Sequence, residues 1–261
     1  MATDLMRGKV AVILGASAEG GIGWTTAQTM AREGAKVVVA ARSLDKLRRL
    51  AQLAGGVAIA CDATKRADIV SLADQVKARF GKVDAAVYSP SGVWFSTLET
   101  TDEGSLREAM ELHFFGAFFF VQEMRRVMQQ DGAITLISSI TSTNTQDGVV
   151  SYSCAKGAVQ NLTRYGAKEF APRRIRVNCV FPGLTETPMV AGATGNPALR
   201  QVFEREIPLG RLGKAEDIAE YITFLSSNRA SYITGVFTPI DGGNFMTRLP
   251  RFDEMPPLQQ S

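Results

Sequence analysis

Short apolar runs alternate with amphipathic stretches along nearly the whole chain, and that alternation predicts a parallel sheet covered by helices on both faces. The runs at 10–14, 36–41, 57–61, 85–88, 133–138, 176–181 and 236–240 are short and almost continuously apolar, as buried strands are. The helical period recurs at 24–33, 44–54, 67–80, 106–130, 153–170 and 215–226. The expected fold class is therefore α/β: one doubly wound domain with a mainly parallel seven-stranded sheet. Two stretches break the rhythm. Pro188, Gly192, Gly195 and Pro197 predict a long loop over 183–207, of the kind that closes over a site. Pro250, Pro256 and Pro257 predict an extended C-terminal arm over 248–261.

Composition narrows the class without naming a function. A chain of 261 residues with 45% hydrophobic content can bury a substantial core. No run of about 18 uncharged apolar residues is present, so no membrane span is expected. The net charge of +3 is small and forms no basic stripe, so nucleic acid is not an expected partner. Cys61, Cys154 and Cys179 are odd in number and lack metal-ligand spacing, so reduced thiols, no metal and a cytoplasmic location are expected.

The chemistry concentrates at two places. At the first, the run at 10–14 enters Gly15-Ala16-Ser17-Ala18-Glu19-Gly20-Gly21-Ile22-Gly23 and then a helical stretch. Strand, glycine turn and helix in that order suit a dinucleotide, because glycines let the backbone approach a pyrophosphate that the helix N-terminus then stabilises. At the second, Tyr152 and Lys156 are four apart on a helical stretch and share a face, with Ser139 at the carboxyl end of a strand. An ammonium beside a phenol favours the phenolate, which makes Tyr152 a candidate general acid/base. About twenty residues past the glycine turn the chain reads Ala40-Ala41-Arg42-Ser43, with no acid to bond the ribose hydroxyls of NAD. Arg42 can instead meet a 2′-phosphate, so NADP(H) is expected over NAD(H).

Together these motifs resemble the classical short-chain dehydrogenase/reductase family, over nearly the whole chain up to about residue 248. The resemblance implies a Rossmann-type domain with a cofactor half at 8–92 and a catalytic and substrate half at 93–247. It implies hydride transfer between a nicotinamide and a carbonyl or alcohol carbon, with Ser139, Tyr152 and Lys156 as the catalytic set and Lys156 also lowering the tyrosine pKa. It carries the cofactor onto Gly15, Ser17, Gly21, Ile22 and Gly23, onto Asp62 and Ala63 in Cys61-Asp62-Ala63-Thr64, onto Ser89, and onto Pro182, Gly183, Leu184 and Thr187. Ile233-Thr234-Gly235 and Asp241-Gly242-Gly243 resemble the last strand and its flank. Related enoyl reductases separate Tyr from Lys further, and Val150 occupies the position six before Lys156, so carbonyl chemistry is favoured.

Three departures stand out. Gly21 follows Gly15 by six positions where the family usually has four; Tyr88-Ser89-Pro90-Ser91-Gly92 replaces Asn-Asn-Ala-Gly; and His113, the only histidine, stands where the family has its tetrad Asn. An imidazole can donate and accept, so His113 is a candidate for the proton route to Lys156. Trp94, Phe95, Val149, Val150, Met189, Val190 and Phe203 are candidate walls for a bulky apolar or aromatic substrate. Residues 112–121 are apolar nearly all round, which with the resemblance implies a homotetramer. A non-catalytic nucleotide-binding or scaffold role is the alternative. The altered Asn and glycine turn favour it, and the intact Ser139, Tyr152 and Lys156 oppose it.

Overall fold

The computed structural model describes residues 4–255. In chain order the elements are β1 (Val10–Leu14), α1 (Ile22–Arg32), β2 (Lys36–Ala41), α2 (Leu44–Ala54), β3 (Val57–Ala60), α3 (Arg66–Phe80), β4 (Val83–Tyr88), α4 (Glu103–Met110), α5 (Gly116–Val127), β5 (Met128–Ile137), α6 (Val150–Phe170), β6 (Arg176–Pro182), β7 (Thr185–Glu186), α7 (Ala191–Thr194), α8 (Pro197–Glu206), β8 (Gly213–Lys214), α9 (Ala215–Ser226) and β9 (Phe237–Ile240). Seven strands form one sheet in the order β3-β2-β1-β4-β5-β6-β9, and every pairing is parallel.

The strand period of two divides the core between the two faces. Val10, Val12 and Leu14 of β1 join a core built with α3, α5 and α6, while Ala11 and Ile13 join a second one built with α1, α2 and α9. Strand order reverses between β1 and β4, so a crevice opens at their carboxyl ends, where doubly wound sheets bind ligands.

Four expectations need correction. The helix expected over 106–130 is interrupted by a π-helical turn at Glu111–Phe115 and ends at Val127, where β5 begins. The interruption has a local cause. The hydroxyl of buried Tyr88 donates to the Leu112 carbonyl at 2.5 Å, taking that acceptor out of the helical ladder, and a Cβ on Gly116 would overlap both the Tyr88 hydroxyl and the Ala63 carbonyl. The loop expected over 183–207 is largely ordered, because Asn196 caps α8 through the Ala198 and Leu199 amides and Pro197 starts a helix instead of breaking one. Helix α6 begins at Val150, so Tyr152 lies within its first turn and not before the helix. The expected extended arm instead folds back as far as it is described, with Leu249 and Pro250 buried; Pro256 and Pro257 lie outside the described residues.

Candidate active site

The glycine turn lies where β1, β4 and α1 converge. Gly15 has a φ of +93°, and a Cβ there would overlap the backbone of Ser89 and Pro90, so only glycine admits this approach of the β1 and β4 ends. Helix α1 starts at Ile22 with no side-chain cap and no acid in its first turn, leaving its amide dipoles open to an anion. Arg42 is exposed just past β2 and is in no ion pair among the described residues. Asp62 accepts from the Thr64 amide at 3.0 Å and the Thr64 hydroxyl at 2.8 Å. Its burial raises the carboxyl pKa, but these bonds together with Arg42 and Lys65 outweigh that and hold it below the ordinary range.

Across the cleft, Ser139 lies just past the end of β5 and Tyr152 and Lys156 project from α6; all three are buried. The Ser139 oxygen accepts from the Thr141 amide at 3.2 Å and the Thr141 hydroxyl at 3.0 Å, which leaves its own hydrogen to donate elsewhere. Burial raises the Tyr152 pKa, partly offset by hydrogen bonds with Ser139 and Ser91. This reverses the expectation that Lys156 depresses it. The Lys156 ammonium donates to the Ile137 carbonyl at 2.8 Å and sits 5.6 Å from the centre of the tyrosine ring, while burial pulls its own pKa down to about 8. Desolvation therefore leaves a protonated phenol beside an amine that titrates near neutrality.

His113 lies in the π-helical turn and is fully buried. Its Nε2–H donates to the Gly92 carbonyl at 2.9 Å, since a carbonyl can only accept, and Nδ1 is left without a partner. Burial, with Lys156 nearby, drives its pKa well below the ordinary range, so the ring is neutral. It packs edge-to-face on Tyr152 at 5.1 Å and on Trp94 at 5.9 Å.

One cleft of about 1270 Å³ is lined by all the cofactor and catalytic residues named from the sequence except His113, which lies behind Tyr152. Trp94, Phe95, Val149, Met189, Val190 and Phe203 line it too, and Val150 does not. Sequence reasoning missed Arg107, Glu108, Glu111, Gln146, Leu199, Leu249 and Met255, which also line it. Nothing local in the sequence marks them, because α4, α8 and the C-terminal segment reach the cleft only through tertiary packing.

Comparison with known proteins agrees with this architecture. A family model described as Enoyl-(Acyl carrier protein) reductase matches residues 15–244. The chain is 35% identical over 246 residues to cis-4-hydroxycyclohexanecarboxylate dehydrogenase of Sinomonas cyclohexanicum, covering 90% of this chain and 96% of that protein. It is 34% identical over 245 residues to a 3-oxoacyl-(acyl-carrier-protein) reductase of Thermotoga maritima, covering 91% and 98%. A short-chain type dehydrogenase/reductase from Mycobacterium ulcerans superposes with a TM-score of 0.89 at 28% identity, over 95% of this chain and 93% of that one. Matched along nearly its whole length by dehydrogenases and reductases in sequence and by a short-chain type dehydrogenase/reductase in structure, the chain belongs to the short-chain dehydrogenase/reductase family of oxidoreductases.

Proposed function

We propose that this protein is an NADP(H)-dependent oxidoreductase that interconverts a ketone or aldehyde with an alcohol through Ser139, Tyr152 and Lys156, acting in the cytoplasm on a bulky apolar or aromatic substrate. The observation that carries this reading is the meeting of an uncapped helix start, an unpaired Arg42 and a buried Ser-Tyr-Lys set in one cleft. The open end of α1 suits a diphosphate, Arg42 suits a 2′-phosphate, and Asp62 suits the adenine end. The nicotinamide, when bound, supplies or accepts the hydride. Everything else falls to the chain: Ser139 donates to the substrate oxygen, and Tyr152, held protonated by burial, gives that oxygen its proton in the direction of reduction.

Lys156 serves the phenol as a nearby proton exchanger and the cofactor ribose as a donor, roles that fit an amine brought to about 8. His113 acts on the proton route as a fixed acceptor, its bare Nδ1 receiving a hydrogen bond from a water, because burial opposes its own protonation. The four-residue step from Tyr152 to Lys156 supports carbonyl reduction over reduction of a carbon–carbon double bond. A homotetramer is part of the same reading: Phe115 and Phe118 remain 40% and 42% exposed on one chain, in ring contact with Phe114 and Phe119. The decisive panel is a set of bulky ketones and alcohols assayed with each nicotinamide. Turnover with a clear preference for NADPH supports the reading; equal use or a preference for NADH refutes the cofactor assignment, and binding without turnover of any carbonyl refutes the catalytic one.

A further inference from the structure

The segment after β9 makes contacts that a surface tail has no need of. Asn244 is buried, and its amide donates to the Glu206 carbonyl at 3.0 Å and the Arg248 carbonyl at 2.9 Å. The Arg248 guanidinium bridges Glu206, at the end of α8, and Glu254, each at 2.7 Å. On the opposite side the Gln146 amide donates to the Pro250 carbonyl at 3.0 Å. The segment is thus fastened both to α8 and to the turn before α6, two elements that flank the catalytic residues.

Between those fastenings Leu249, 7% exposed, and Met255 line the same cleft as Tyr152. Leu199 and Phe203 extend this apolar surface from α8. The charges around it have one dominant sign. Glu108 and Glu111 line the cleft, and of its two guanidiniums Arg42 lies just past β2 while Arg107 is paired with Glu103 at 2.6 Å. A carboxylate on a substrate would meet these carboxylates, since Arg42 stands at the cofactor end of the cleft past β2, and burying it unpaired is costly.

We propose that residues 244–255 form the far wall of the substrate cleft, and that this wall selects ketones whose distal group is apolar and uncharged. The proposal rests on the carbonyl-reductase reading and adds the substrate class to it. Leu249 and Met255 are the specificity-determining residues, and Arg248 holds them in place.

The test compares two ketones that differ only at the distal position, 4-tert-butylcyclohexanone and 4-oxocyclohexanecarboxylate, in the parent and in Leu249→Ala, Met255→Ala and Met255→Arg. Met255 is only partly buried, so its substitution spares the core if Leu249→Ala fails to fold. The parent should favour the tert-butyl ketone in kcat/KM by at least about tenfold, the scale of a poorly matched apolar pocket. Leu249→Ala and Met255→Ala should shrink that ratio through KM, and Met255→Arg should shrink it about tenfold or reverse it by supplying a cation. A parent that favours the carboxylate, or a ratio unmoved by all three variants, overturns the proposal. Binding separates this from the parent reading: quenching of protein tryptophan fluorescence by 4-tert-butylcyclohexanol and 4-hydroxycyclohexanecarboxylate reports affinity without turnover. Tighter binding of the first, lost in Met255→Arg, sustains the wall even if no ketone is reduced; equal affinities overturn it.

Discussion

Replacing Tyr88 with Phe isolates the bond that gives the catalytic neighbourhood its shape. The tyrosine is 2% exposed, and its hydroxyl donates to the Leu112 carbonyl at 2.5 Å, at the π-helical turn that carries His113. Phe keeps the ring and its 5.4 Å contact with Phe120, so little packing changes. What changes is one buried carbonyl left without its donor, a loss of about 1–3 kcal/mol. At about 2 kcal/mol and roughly 2–4 °C per kcal/mol for a chain of this size, Tm should fall by about 4–8 °C. Calorimetric melting of the cofactor-free protein measures this. A second variant sharpens it, because a Cβ on Gly116 would collide with that same hydroxyl. Gly116→Ala should therefore cost less in the Tyr88→Phe background than in the parent, with a coupling of about 0.5–3 kcal/mol. A melting temperature unchanged within about 1 °C for Tyr88→Phe, or strictly additive costs in the double variant, would show that the hydroxyl does not shape the turn.

His113→Asn should retain most activity, since an amide can also donate to Gly92 and accept, while His113→Phe should lose kcat and alter the pH–rate profile; parent-like turnover by His113→Phe from about pH 6 to 9 reduces the histidine to packing. Lys156 has its pKa lowered on folding, to about 8, so the folded state holds fewer protons than the unfolded state above that pH and stability from this group rises with pH. Lys156→Met should accordingly be more stable than the parent below about pH 8, an advantage that shrinks as pH approaches about 10 in denaturant titrations; a pH-independent difference contradicts the shift. Light scattering at micromolar concentration should show a tetramer that Phe118→Glu weakens, and a stable parent monomer defeats the assembly proposal.

The sheet was legible because its strands carry runs such as Val10–Leu14 with few polar interruptions, and the crevice followed from the glycine turn that ends the first of them. Local motifs also pointed to Ser139, Tyr152 and Lys156, which line the cleft. Features that depend on distant partners were not legible. The π-helical turn arises from a hydroxyl 24 positions away in sequence, which no helical period in 106–130 reveals. Pro197 looked like a breaker because its role depends on the cap that Asn196 makes with the amides beyond it. The raised Tyr152 pKa escaped notice because burial, a property of the packed site, outweighs the hydrogen bonds with Ser139 and Ser91 that lower it. The C-terminal segment's place at the cleft was missed for the same reason: Arg248 and Pro250, either side of buried Leu249, are tied to Glu206 and Gln146, far away in sequence.

Under the proposed mechanism the Tyr152 phenol exchanges the proton of the substrate oxygen. Tyr152→Phe removes one oxygen and leaves the ring to hold its 5.1 Å contact with His113. The most direct measurement is the kcat of this variant with NADPH and a ketone that the parent reduces, taken alongside the dissociation constant for NADPH. The expected result is a fall of about 10²–10⁴-fold or more in kcat with cofactor affinity nearly intact, and a variant that keeps near-parent kcat removes Tyr152 from the proton transfer.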